Sequence, residues 1–168
     1  MRLRFRGLVL VLALNAGSAA AQAPTPATYT VTLMSPELAL RAAQGALAAC
    51  RQGGYQVAVA VTDRGGQVQV LLRDRLAGSH TVDAAADKAW TAASFKMGTT
   101  ALALATREGA EASGIRHIRR ALAVGGGLPI EANGALLGAI GISGAPGGAA
   151  DEACARAGIA AVADDLNF

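Results

Sequence analysis

YQVAVAVTDRGGQVQVLLRD, residues 55–74, is the stretch that decides the fold. Apolar side chains dominate from Gln56 to Thr62, and Gln, Val and Leu alternate from Gln67 to Arg73. Between the two runs stands Asp63-Arg64-Gly65-Gly66, where glycine supplies the positive φ that a tight turn demands. The stretch predicts two antiparallel strands joined as a hairpin.

Upstream of the hairpin, Ser35-Pro36-Glu37-Leu38 has the marks of a helix start: a capping serine, proline at the first helical position and an acid in the first turn. The helix is expected to reach about Gln52, with Leu40, Ala43, Leu47 and Cys50 at helical spacing and Gly53-Gly54 ending it. Downstream, Thr81 to Met97 reads as a helix with Ala86, Trp90, Ala93 and Met97 on one face, and Thr99 to Glu108 as a second helical piece followed by a loop through Gly114. Short apolar runs at 121–124, 128–132 and 135–143 read as strands, the last two joined by Asn133-Gly134, a hairpin turn pair. Ala149 to Asp165 then reads as a helix with Ala155, Ile159, Val162 and Leu166 along one stripe and Asp151-Glu152 in its first turn, where the helix dipole favours anions.

The order is helix, two strands, helices, three strands, helix. It predicts an α/β (α+β) domain with a five-stranded, mainly antiparallel sheet, the terminal helices on one face and the middle helices on the other. Cys50 stands near the end of the first helix and Cys154 near the start of the last. Antiparallel packing of those helices brings the two together, so a disulfide is expected in place of two separate buried thiols.

The N-terminus reads as a secretory leader over residues 1–21. Arg2, Arg4 and Arg6 precede an apolar run from Leu8 to Leu14, and Ala19 and Ala21 have the spacing of a cleavage site. That run falls well short of the roughly 20 apolar residues needed to span a bilayer, so no stable membrane insertion is expected after cleavage. Export would place the cysteines in an oxidising compartment, periplasmic or extracellular, where such pairs bridge. The leader carries three of the 15 basic residues and no acid, leaving 12 basic against 12 acidic residues in the mature chain. The sequence pI of about 9.3 therefore reflects the leader, and nucleic acid is not expected as a partner. Residues 22–34 read as a Pro/Thr/Ala linker and N-terminal extension, and 35–168 as one domain, whose core must come from Ala, Val, Leu and Ile because aromatics are only 4% of the chain.

VGGGLPI, residues 124–130, is the chain's most unusual motif. A P-loop requires Lys-Ser or Lys-Thr after its glycines, and a dinucleotide fingerprint requires a third spaced glycine opening a helix. Neither pattern is present. Glycines at such a junction mark a close approach by another backbone or by a flat ligand. His80 and His117 stand without the companion residues of a zinc site. Asp83, Asp87 and Lys88 read as charges on a helix surface, and Glu108 and Glu111 as two carboxylates aligned at helical spacing, a weak metal site by themselves. No serine stands in a nucleophile elbow.

Three stretches together resemble the GlcG/HbpS-like haem-binding family, also described as the haem-degrading domain and related to the C-terminal domain of PduO-type proteins. They are VAVAVTDRGGQVQVLLRD, AGSHTVDAAADKAWTAASF and GIRHIRRALAVGGGLPIEANGALLGAIGISGAPGGAADEACARAGIAA, in the family's order. The resemblance implies a profilin-like fold, assembly as a homo-oligomer, and the binding, storage, sensing or degradation of haem. It points to His80, Asp83, Lys88 and Thr91 at one helix entry, and to His117 with Gly125, Gly126, Gly127 and Pro129 at the glycine junction. The chain departs from the family pattern at Ala84-Ala85-Ala86, where charged residues are common, and at Arg119-Arg120, where a Pro-Gly pair is common.

The expectation is an exported protein whose partner is haem or another flat small molecule. His80 or His117 would offer iron an imidazole, and Arg116, Arg119 or Arg120 would pair the propionates. Two other readings fit the same residues. One is an enzyme acting on a small organic acid, with Lys88, His80 and the arginines at a subunit interface. The other is an oligomeric scaffold without chemistry, joined through the small residues Ala85, Ala89, Ala92 and Ala93.

Overall fold

The structure is a computed structural model that describes residues 26–166. The expected leader and the first residues of the extension lie outside the described residues. Residues 26–30 carry no helix or strand; every element lies in the compact unit that begins at Val31.

Helix α1 spans Pro36–Gln52, and the Ser35 side chain caps it by accepting the Leu38 N–H at 3.2 Å. Its buried face is Leu38, Ala39, Ala42, Ala43, Ala46, Leu47 and Cys50. Leu40, expected on that face, is 39% exposed, because it stands about 100° round the helix from Ala39.

Strands β1 (Ala58–Asp63) and β2 (Val68–Arg73) form the expected hairpin. The Asp63 carboxylate accepts the N–H groups of Gly65 and Gln67, and Gly66 alone of the two turn glycines takes a positive φ, +80°. Strands β3 (Gly127–Ala132) and β4 (Ala135–Ser143) form the second hairpin, with Asn133 and Gly134 both at positive φ as a type I′ turn requires. β4 also pairs with β1, giving an antiparallel sheet in the order β2-β1-β4-β3.

The sheet has four strands, not the expected five. Residues 121–124 make no ladder. The N–H of Leu122 donates to the Thr91 hydroxyl, Ala121 bonds back to Ile118, and Val124 to Leu122. With these donors taken by the Thr91 hydroxyl and by carbonyls within the segment, and Arg120 in a left-handed conformation just before them (φ +76°), the short apolar run joins no strand.

Helix α2 (Thr81–Phe95) covers one face of the sheet, and α1 with α4 (Gly148–Ala160) the other. The two-residue period of a strand divides β1 between them: Val59 and Val61 pack into the larger core with α1 and α4, while Ala58 and Ala60 meet Ala85 and Ala89 of α2. Burial on both sides explains why β1 reads as continuously apolar. The buried residues of α2 are Thr81, Ala85, Lys88, Ala89, Thr91, Ala92 and the expected Ala93, with Ala86 and Trp90 on the flank instead of at the centre.

α2 stops at Phe95 because Lys96 adopts a left-handed conformation, and α3 is short, Thr99–Ala105. A 3-10 helix over Glu111–His117 replaces the expected loop. Glu108 and Glu111 thus share no helix, and the described residues contain no cluster of three acids, histidines or cysteines suited to a metal ion. After α4 a 3-10 turn, Ala163–Leu166, ends the described chain, and Met34 from the expected extension packs into the main core. No helix among the described residues is long and apolar enough to cross a membrane.

α1 and α4 lie so close that a Cβ at Gly158 would be 2.6 Å from the Ala42 carbonyl oxygen. Cys50 and Cys154 are joined across this contact with Cα atoms 5.4 Å apart. The bond closes a loop with a sequence separation of 104 residues, for which loss of chain entropy in the unfolded state predicts about 4–5 kcal/mol of stabilisation. The oxidised protein is expected to show no free thiol under denaturing titration, and Cys50→Ser/Cys154→Ser to unfold at markedly lower urea. An unchanged midpoint would show that the bond adds nothing.

Candidate functional site

The glycine motif is where three helices close on the sheet edge. A Cβ at Gly125 would lie 3.1 Å from the Gly148 backbone at the start of α4, and one at Gly127 would lie 2.4 Å from the Lys88 carbonyl oxygen of α2. Gly126, at φ +120°, leaves room for a side-chain bond between the helices: a Cβ there would be 2.7 Å from the Asp151 Cβ and 3.0 Å from Lys88 Nζ. All three glycines are therefore met by the chain's own atoms. Thr99 completes the junction by accepting the Gly127 N–H at 2.8 Å.

Lys88 Nζ donates to Asp151 Oδ2 at 2.7 Å and to the Ile142 carbonyl at 2.9 Å. Both side chains are about 95% buried. Asp151 uses its other oxygen to accept the Ala145 N–H at 3.0 Å, which holds the loop between β4 and α4 in place. The lysine read from sequence as a surface charge is thus the buried cation of the fold.

A cavity of about 570 Å³ opens beside this pair. Its walls include Tyr55 just past α1, Leu76 and His80 on the approach to α2, Val124 before the glycines, and Ser143 at the end of β4, and Asp151 also reaches it. His80 precedes the first turn of α2 without capping it. The imidazole lies over Gly78, where a Cβ would be 2.8 Å from its Cε1, and it has no hydrogen-bond partner among the described residues. The loop carrying Leu76 is tied to α1 by Asp74, which is buried, accepts from Arg51 Nε at 2.9 Å and donates its own N–H to Val57. Hydrogen bonding to Asp74 holds the Arg51 guanidinium above its ordinary pKa, with desolvation opposing.

The remaining residues singled out in sequence stand elsewhere. His117, with Arg107, Glu108, Ser113 and Arg116, lines a separate cavity of about 480 Å³. Arg116 donates to the Thr106 and Ala103 carbonyls at 2.7 and 2.9 Å, satisfying the C-terminal end of α3. Arg120 bonds Asp87 at 2.9 Å and lies 5.4 Å from the Trp90 ring centre. Those two contacts hold it in the left-handed conformation that the glycine of a Pro-Gly pair would adopt without strain. Thr91 is fully buried, donating to the Asp87 carbonyl at 2.6 Å and accepting from Leu122. Pro129 sits on the edge strand β3, opposite Ala139, where a missing N–H is tolerated. Asp83 is exposed on α2. Sequence reading missed Tyr55 and the pairing role of Asp151: a tyrosine after a glycine pair and an acid in a first turn carry no local mark of what they face.

Residues 34–160 match the family model described as haem degrading protein HbpS-like, and the chain belongs to that family. Among solved structures it is similar to HbpS of Streptomyces reticuli, determined as a double mutant, at 39% identity and a TM-score of 0.75 over 84% of this chain and 97% of that one. It is also similar to PduOC, determined as a complex with haem, at 29% identity and a TM-score of 0.73 over 77% and 95% of the two chains. A 15.0 kDa protein of Citrobacter freundii from the dhaT-dhaS intergenic region is 32% identical over 117 residues, 68% of this chain and 80% of that protein.

Breaking a buried pair strands one charge, at a cost of about 3–5 kcal/mol. Lys88→Met is expected to lower unfolding free energy in urea by that amount, whereas Asp83→Asn, on the exposed side of the same helix, should leave it within about 0.5 kcal/mol. Equal effects of the two substitutions would contradict the assignment.

Proposed function

We propose that this is an exported haem-binding protein that holds haem in the cavity lined by His80. The observation that carries the reading is an imidazole with no partner of its own on the wall of a cavity of about 570 Å³. That volume lies within the roughly 300–1,000 Å³ usual for cofactor sites. A neutral imidazole suits haem iron, and Leu76, Val124 and Pro146 provide apolar surface for a porphyrin. None of the lining residues is lysine or arginine, so the acidic groups of the ligand would meet the backbone N–H groups of Gly147 and Gly148 at the start of α4. Storage, sensing and degradation all begin with binding, which is the step this cavity accounts for.

The other two readings have less in their favour. Lys88, the cation suited to a small organic acid, is engaged by Asp151. Ala85, Ala89, Ala92 and Ala93, the small-residue face suited to a scaffold, are buried within this chain. A homo-oligomer remains part of the proposal, supported by Leu76 and Val124, which are 78% and 47% exposed at the cavity. Export is supported by the disulfide, a bond that persists in oxidising compartments.

Titrating the processed protein with hemin is expected to give a saturable Soret shift. His80→Ala should weaken binding at least about tenfold, the scale set by losing even a partner of a metal ligand, while His117→Ala should bind as the parent does. Absence of a saturable shift, or loss on His117→Ala alone, would sink the reading. Mass spectrometry of exported protein is expected to find Gln22 as the first residue; an uncleaved N-terminus would remove the export proposal.

A further inference from the structure

We propose that Tyr55 is a second protein ligand to the iron in the His80 cavity. The inference rests on the haem reading above and extends it to a residue that neither the sequence motifs nor the glycine junction single out. Haem iron is held by imidazole, thiolate, thioether or phenolate side chains. Among the residues lining this cavity, only His80 and Tyr55 belong to those types. His117 lines the other cavity, both cysteines are joined to each other, and neither Met34 nor Met97 reaches this one.

The fold holds Tyr55 at this wall. Its N–H donates to the Cys50 carbonyl at 2.9 Å, closing the last turn of α1 at the residue that the disulfide ties to α4. Its ring lies over Gly53, where a Cβ would be 2.8 Å from Cε2, and is partly buried against the main core. The phenol oxygen has no hydrogen-bond partner among the described residues, and it is not a sealed, unsatisfied atom. The side chain is thus braced along its ring while its polar end stays uncommitted. His80, exposed and on a different segment, also lines the cavity.

Tyr55 would bind ferric iron as phenolate. The Tyr55 O–H bond breaks, its proton passes to solvent, and an oxygen lone pair forms the bond to iron; no electron is transferred and the iron stays ferric. A bound cation favours the anionic form of the oxygen that coordinates it. An anionic oxygen favours the ferric over the ferrous state, so this residue would set the redox preference of the bound group as well as its affinity.

The test uses hemin with the processed, disulfide-bonded protein and reads visible absorption, resonance Raman and the reduction potential of the bound haem. The parent is expected to show a phenolate-to-iron charge-transfer band that survives in His80→Ala. Tyr55→Phe should lose the band, bind ferric haem at least about tenfold more weakly, bind ferrous haem nearly as the parent does, and raise the potential. A packing role alone would weaken both oxidation states together. If Tyr55→Phe does not fold, Tyr55→His keeps a ligand in place and should exchange the phenolate band for a bis-imidazole spectrum. Saturable hemin binding with no phenolate band, or with identical spectra for parent and variant, overturns the role of Tyr55 and leaves the haem reading standing. No hemin binding by the parent overturns both.

Discussion

The bond between Lys88 and Asp151 is the contact on which the arrangement of helices around the sheet depends. Lys88 belongs to α2, on one face of the sheet, and Asp151 to α4, on the other, and the two meet at the C-terminal end of β4, where the Ile142 carbonyl accepts a second hydrogen bond from the ammonium. A buried ion pair is tolerable only when its remaining bonding capacity is met. Here the aspartate's second oxygen is met by Ala145. Geometry then dictates sequence: the pair passes so close to Gly126 that no side chain fits there, and the neighbouring glycines admit the backbones of α2 and α4. In this chain the glycines of the motif give clearance to an internal salt bridge and to two helix backbones.

The candidate cavity inherits its shape from that bond and two others. The loop before α4 is held by Asp151, the chain just past α1 by the Cys50–Cys154 bond, and the approach to α2 by Asp74 with Arg51 and Val57. The three walls are therefore fixed by an ion pair, a covalent bond and a charge-assisted hydrogen bond, each anchored in a helix or the sheet. Such anchoring keeps a site from paying an ordering cost when its ligand arrives. The side chains left free at the cavity, His80 and Tyr55, are carried by short segments between these anchors.

Arg120 and Thr91, both expected at a ligand site, make contacts that shape the chain locally. Arg120 stands in a conformation suited to glycine, held by Asp87 and the face of Trp90, and its carbonyl lies beside the Thr91 hydroxyl. Together they fold residues 118–122 onto α2 and draw the following apolar run away from the sheet. The cost of that local conformation is offset where it arises, by contacts among residues on α2 and the segment they hold.

Much of the architecture was legible because its causes are local. The Ser35-Pro36 helix start, the Asp63–Gly66 turn and the Asn133-Gly134 turn follow from capping and φ preferences within a few residues, and the cysteine pairing followed from the order of the helices. The run at 121–124 was misread because the hydroxyl that takes its N–H is on Thr91, far off in sequence. Residue types and their order by themselves determined the helices, the two hairpins, the covered sheet and the family resemblance, since these rest on periodicity and short-range sterics. Only the tertiary structure decided that Lys88 is buried, that the glycines are filled from within, that His80 and His117 lie in separate cavities, and that Tyr55 shares one with His80. Those outcomes depend on which atoms meet across the sheet, and no spacing along the chain encodes that distance.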